Sequence, residues 1–444
     1  MIDDPIRAQS NSLIAGGILA AVAVAGCAIV ALVRPQEELG TAAIVMGRDS
    51  GALYVRVGDT LHPVLNLASA RLIAAAKENP RPVSESELAK AKRGPLLGIP
   101  GAPQFIAEPQ APEESSWTVC DTTGTPPAPP MSTTVIVGPV RGGAPDQTVL
   151  VTPTNGATPY LLYNGLRAAV DLTDPATVGA LRLDGVVPRP VSSTLLSAIP
   201  EAPPIVAPRI PGAGGPSALN GFPVGSVVRM PRAEAQEYYV VLAGGVQQIG
   251  QVTADLIRSA DSQGNRDIVA VAPDAIRDIP KFDSVPVSSY PDRVAAPQGV
   301  ADEPVLCVNW MPAGSRTSFL AGEGLPLDAD QTPVTLAQAD DDGPALDAVF
   351  VPPGRSGYVR ATSLTGDDGR EETRYLVADT GVRFAIQDTD AAQSLGLAGN
   401  PTPAPWPVLA ALPPGPELGR ANALVAHDTL TTGSISVPLS PGPP

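Results

Sequence analysis

The strongest limit on how this chain folds is a unit of about 42 residues that occurs four times along it. Each copy opens on an apolar strand, turns at a glycine, and continues with a second apolar stretch and a short helix. A Val/Ala strand and a second helix follow. The first copy reads ALYVRVGDTLHPVLNLASARLI and PVSESELAKAKRGP, the second PYLLYNGLRAAVDLTDPATVGALRL and PVSSTLLSAIP. The third reads EYYVVLAGGVQQIGQVTADLI and AVAPDAIRDIP, the fourth RYLVADTGVRFAIQDTDAAQSLGL and PAPWPVLAALP. The spacing holds the register. Turn glycines Gly58, Gly165, Gly245 and Gly381 precede Val83, Val191, Val271 and Ala404 by 25, 26, 26 and 23 positions. A proline closes the last three copies at Pro200, Pro280 and Pro413, while Lys92 holds that place in the first.

This period makes sense of the composition. The 444 residues include 52 Pro and 43 Gly, against a usual share near ~12 % for the two together. Yet 43 % of the chain is hydrophobic, too much for plain disorder, so Pro and Gly punctuate many short elements. Each copy is expected to fold as ββαβα, with Asn164-Gly165 and Ala243-Gly244-Gly245 as hairpin turns where positive φ is tolerated. Asp174-Pro175 reads as an N-cap with Pro at the first helical position, and Ser84-x-x-Glu87 as a capping box. A unit this small needs neighbours to bury its apolar face.

Between the copies lie strand-like runs rich in Val and Ile: 116–120, 133–137, 225–230, 303–310, 348–353 and 357–362. They are assigned to a β-rich central domain built from the intervening segments. The fold class is therefore α+β, with four small repeat domains at 52–95, 158–200, 237–280 and 373–413. The central domain takes 96–157, 201–236 (in part linker) and 281–372, and 414–444 is a Pro-rich tail. The expected shape is a segmented rod.

Residues 13–33 are 21 uncharged apolar positions in a row, long enough as a helix for the ~30 Å hydrocarbon core. A signal peptide would have a basic start and a shorter apolar run, whereas Asp3 and Asp4 precede this one with Arg7 alone. Val24-Ala25-Gly26-Cys27 resembles a lipobox, but the residues after Cys27 stay apolar. The run is read as a single membrane anchor with a cytoplasmic stub at 1–12. Arg7 and Arg34 flank it and barely decide orientation. Of the three cysteines, Cys120 and Cys307 lie beyond the anchor on strand-like runs. They fit one structural disulfide in an oxidising compartment, or two unrelated buried thiols. The bulk of the chain is placed outside the membrane.

The search for chemistry is mostly negative. Net charge is −16, which argues against nucleic acid as the main partner. The two histidines, His62 and His427, leave little room for a His-rich metal site or a His relay, and His62 is read as structural or surface. The Gly-rich run 211–217 lacks the Lys of a phosphate loop and reads as linker. Gly354-Arg355-Ser356-Gly357 misses the nucleophile elbow by one position and reads as a turn. Asp328-x-Asp330 is followed by Pro333, not a calcium-loop Gly. The runs 340–343 and 366–369 read as solvated acidic turns. No catalytic, cofactor or metal residue is assigned.

Five segments together carry a family likeness: the apolar run 13–33, GRDSGALYVRVGDTLHPVLNLASARLI (47–73), RGPLLGIPGAP (93–103), ESSWTVCDT (114–122) and WPVLAALPPGPEL (406–418). The chain resembles EccB, a membrane component of the type VII (ESX) secretion systems of mycobacteria and related actinobacteria, from about residue 3 to 425. The resemblance implies a cytoplasmic N-terminus, one span of the inner (plasma) membrane, and a large periplasmic body of four repeat domains around a central one. That central domain carries one disulfide, by position Cys120–Cys307. It implies partnership with further copies of itself and with EccC, EccD, EccE and the mycosin protease. The function it implies is that of a structural subunit supporting protein export. A peptidoglycan-binding role for the repeats is the alternative. Some members carry the label ATPase, for which the residues offer no motif and no cofactor. One departure stands: the family has some tens of residues, including a basic amphipathic helix, ahead of the anchor, and about 12 stand here.

Overall fold

The computed structural model describes residues 15–27, 40–124, 131–142, 148–232, 236–264, 267–295, 303–340, 343–366 and 373–429. Residues 15–27 form a helix lying within the apolar run; the ends of that run, with Asp3, Asp4, Arg7 and Arg34, lie outside the described residues. Among the described residues no helix is long and apolar enough to cross a membrane.

Four small sheets follow one plan. In each, the second and third strands form the hairpin read from sequence, and the order across the sheet is third, second, first, fourth. The first strand precedes the boundary drawn from sequence. It is Ile44–Gly47, Val149–Pro153, Val227–Pro231 and Arg355–Thr362 in the four units. It pairs antiparallel to the second strand and parallel to the fourth. The unit is thus βββαβα rather than ββαβα. The segments at 225–230 and 357–362, assigned above to the centre, pair within the third and fourth units instead. An apolar run reads alike in either sheet, and only non-local pairing decides between them.

The closing residues have a common task. The backbone N–H just after each hairpin turn donates to the carbonyl of the closing residue: Leu61 to Lys92 (2.8 Å), Arg167 to Pro200 (2.9 Å), Val246 to Pro280 (2.9 Å) and Arg383 to Pro413 (3.0 Å). Beyond that bond the chain runs parallel to the third strand and covers that edge. Gly58, Gly165 and Gly381 take φ of +59°, +73° and +82°, which side chains resist. Gly244 and Gly245 do not adopt positive φ. Gly245 is needed for space, because a Cβ there would meet the Pro280 carbonyl and the Phe282 ring.

Caps vary between copies. Asp174 accepts from the backbone N–H groups of Ala176 and Thr177 (3.1 and 3.2 Å), as its position suggested. The capping box at Ser84 does not form: the Ser84 hydroxyl meets that of Ser86, and Glu87 turns to Lys90. Glu85 instead ties the helix to the turn after the first strand, accepting from the N–H groups of Ser50 (3.0 Å) and Asp49 (3.2 Å), and bonds to Ser50 above all hold its pKa down to about 2. The stabilisation is fully present above the ordinary value of 4.5 and is lost as pH falls toward about 2. A Glu85→Gln chain should therefore show a shallower loss of melting temperature across that window; parallel curves for both chains would refute the assignment.

A six-stranded sheet stands apart from the four. Its order is Arg316–Gly322, Val305–Met311, Trp117–Thr123, Met131–Val137, Ala348–Phe350 and Val334–Thr335. Trp117 and Trp310 face one another across it, both fully buried. The four units meet one another through helices, and the second helix of the second unit also packs on this sheet. The first helix of the first unit, Leu67–Ala74, packs on that of the fourth, Thr389–Leu395. The first helices of the second and third units, Pro175–Ala180 and Gln251–Ala260, do the same. The second helices of the second and fourth units, Ser193–Ser197 and Trp406–Ala411, pack on one another. The contact order is first, fourth, second, third. Shared cores follow it: Leu72 with Leu395 and Phe384, Leu161 with Leu256, and Leu195 with Leu409 and Trp310. Full burial of each such side chain contributes ~1.5–3 kcal/mol.

Candidate functional site

Several side chains weighed for chemistry are engaged structurally. His62 Nδ1 donates to the Pro95 carbonyl (3.0 Å) and its ring lies where a Gly94 side chain would be. His427 Nε2 donates to the Gly98 carbonyl (2.8 Å), pinning the returning C-terminal segment to the first unit. In the Gly-rich loop, the N–H groups of Gly214 and Gly215 donate to the carbonyls of Val224 (2.9 Å) and Gly212 (3.0 Å), so they are turned to the loop itself. Ser356 is buried and donates to the Ala107 carbonyl (2.8 Å) inside a strand. Asp328 pairs with Arg141, and Asp330 is exposed. Among the described residues no group of three His, Cys, Asp or Glu is placed to hold a metal ion. Asp341, Asp342, Asp367, Asp368 and Gly369 lie outside the described residues.

What the tertiary structure does build is a junction. Cys120 and Cys307 stand directly opposite on neighbouring central strands, Cα atoms 4.0 Å apart, and are joined by a disulfide. That spacing is close to the near pair of an antiparallel ladder. Next to it, Asp121 is almost fully buried and accepts three hydrogen bonds: from the Ser192 N–H (2.6 Å), the Ser192 hydroxyl (2.8 Å) and the Thr133 hydroxyl (2.9 Å). Ser192 is the N-cap of the second helix in the second unit, so this carboxylate ties that unit to the central sheet. Burial pushes the Asp121 pKa up against those bonds and the nearby Arg189. Arg189 is itself buried, and donates to the carbonyls of Glu303 (2.6 Å) and Pro304 (2.7 Å) beside Cys307; burial lowers its pKa. Sequence reading passed over both residues. Asp121 directly after a strand cysteine was the available signal.

The second joint lies between the first and fourth units. Arg71, on the first unit's helix, donates to the Leu395 carbonyl (3.0 Å) at the end of the fourth unit's helix. A groove of ≈ 1020 Å³ on the fourth unit is lined by Arg360, Arg374, Asp388 and Glu417, among others. Its charges are of both signs, and Arg374 is bonded to Thr389 (3.0 Å). Among the described residues the buried charges Asp121, Arg189 and Arg71 lie at joints between parts of the fold.

Comparison with known proteins identifies the family. The family model described as type VII secretion system ESX-1, transport TM domain B, matches residues 1–432. The chain is 38 % identical to the ESX-3 secretion system ATPase EccB3 of Mycolicibacterium smegmatis, over 98 % of this chain and 88 % of that protein. It is 36 % identical to the ESX-5 secretion system ATPase EccB5 of Mycobacterium tuberculosis, over 96 % and 88 %. Its fold is similar to a chain of an intact ESX-5 inner membrane complex, with TM-score 0.77 and 33 % identity over 98 % of this chain and 92 % of that one. The EccB3 dimer from the ESX-3 core complex gives TM-score 0.76 and 35 % identity over 87 % and 100 %. With its mixed, β-rich fold matched along nearly the full length, the chain belongs to the EccB family of type VII secretion proteins.

Proposed function

We propose that this protein is a structural membrane subunit of a type VII secretion complex, forming its periplasmic part by self-association and supporting protein export across the inner membrane. The observation that carries this reading is the likeness, over 98 % of the chain, to a subunit of an intact ESX-5 inner membrane complex. The joints favour it too: buried carboxylate, arginine and disulfide hold parts together rather than meeting a substrate. In this reading the run 13–33 is the single membrane span, with 1–12 cytoplasmic. Four repeat domains then surround a central domain in the periplasm, where a disulfide persists. Partners are further copies of the chain, EccC, EccD, EccE and the mycosin protease.

Deleting residues 13–33 should abolish co-purification with the other membrane components; intact co-purification would remove the anchor from the reading. The relatives carry ATPase in their names. ATP turnover by the purified full chain, lost on one side-chain substitution, would replace the structural reading with an enzymatic one.

A further inference from the structure

A row of unpaired backbone groups at a sheet edge is a site for another strand. Each of the four small sheets has two edges. The third-strand edge is covered by the chain itself in every unit. The fourth-strand edge differs between units at one register position. The residues just before Val83, Val191, Val271 and Ala404 are Pro82, Pro190, Ala270 and Pro403. Inward bonding is carried by their neighbours: Val83 accepts from the Arg48 N–H, Val191 from Thr154, and the Val271 N–H donates to Arg229. Alternation along a strand then points the middle residue outward. Three units thus place a proline, with no N–H to offer, where a further strand would bond. At this position the third unit alone keeps an outward N–H beside its C=O, at Ala270. Val269, Ala270 and Ala272 are exposed there, and Val269 and Ala270 form the strand itself.

We propose that this edge of the third unit, Ile268–Ala272, pairs antiparallel with the same edge of a second copy about a two-fold axis through Ala270. The strand is complementary to itself. Ala270 opposite Ala270 exchanges both outward hydrogen bonds, Val269 faces the second copy's Val271, and Ile268 faces its Ala272. No charge stands opposite a like charge: Asp267 falls across from Pro273. The two four-stranded sheets become one continuous eight-stranded sheet. The third unit is last in the contact order, so another copy can reach its edge. A second copy is the occupant chosen because the fold matches an EccB3 dimer. The inference rests on the self-association reading given above.

The test uses the full chain in detergent, followed by sedimentation velocity. Ala270→Pro installs what the three sister units already carry, so the thermal melt should be unchanged while self-association weakens by about tenfold or more. In a Cys27→Ser background, Ala270→Cys should give a reducible cross-linked dimer under mild oxidation, whereas Gln248→Cys, on the third strand of that sheet, should not. A wild-type chain that stays monomeric at all concentrations would refute self-association itself. A dimer untouched by Ala270→Pro, with no Ala270→Cys cross-link, would refute this edge and leave self-association standing. A cross-link from Ala270→Cys to a different subunit in the purified complex would likewise overturn pairing between copies.

Discussion

A chain in which Cys120 and Cys307 are both replaced by serine should be less stable by ~5 kcal/mol in the chain-entropy model, the figure for closing a loop of 187 residues. The loop is unusual in what it holds. Strand Trp117–Thr123 leaves the central sheet, the second and third units follow, and Val305–Met311 returns beside it. The first and fourth units lie outside the loop. Reduction therefore frees the denatured chain across the segment carrying two of the four units, while leaving local elements unchanged. Urea unfolding with and without reductant measures the difference. Peptide mapping under non-reducing conditions should recover one fragment containing both cysteines. Two free thiols, or equal midpoints for the oxidised and reduced chains, would rule out this account.

Replacing Asp121 with alanine is the second large effect, expected at ~3 kcal/mol or more, since each buried donor left without its acceptor costs ~1–3 kcal/mol. The change leaves the Ser192 N–H and hydroxyl and the Thr133 hydroxyl without their acceptor. It also removes one of the two negative charges, with Glu303, that favour the charged form of the buried Arg189. Arg189→Met alone should be costly for the converse reason. Asp121→Ala with Arg189→Met should lose clearly less than the two single losses added together, because the Asp121 charge acts on Arg189. Additive losses in that double-mutant cycle would show that the two side chains act independently. Because Asp121 caps through Ser192, proteolysis should also cut first between the central sheet and the second unit in the Asp121→Ala chain.

Local features were legible because their causes are local. Gly58, Gly165 and Gly381 turn where positive φ is needed, and Asp174 caps where an Asp-Pro pair starts a helix. The closing prolines recur because they share one task, a backbone bond that joins each of them to the residue after the turn. The capping box at Ser84 misled because Glu87 turns instead to Lys90, three residues further on. The central strands around Cys120 and Cys307 were found, but Val227–Pro231 and Arg355–Thr362 were placed with them wrongly. Nothing within five or eight apolar residues says which sheet will receive them.

The sequence by itself thus determined the period, the turns, the closing residues and the two cysteines available to bridge. Each of these depends on a dihedral preference or a spacing within one unit. The tertiary structure decided the rest: the first strand of every unit, the contact order first, fourth, second, third, and the burial of Asp121 against Arg189. These depend on pairings between residues far apart in the chain, whose free energy is shared among many contacts and written in no single segment. Ala270 joins the two levels. Its difference from Pro82, Pro190 and Pro403 is plain in the aligned copies, yet only the sheet shows that this position points outward.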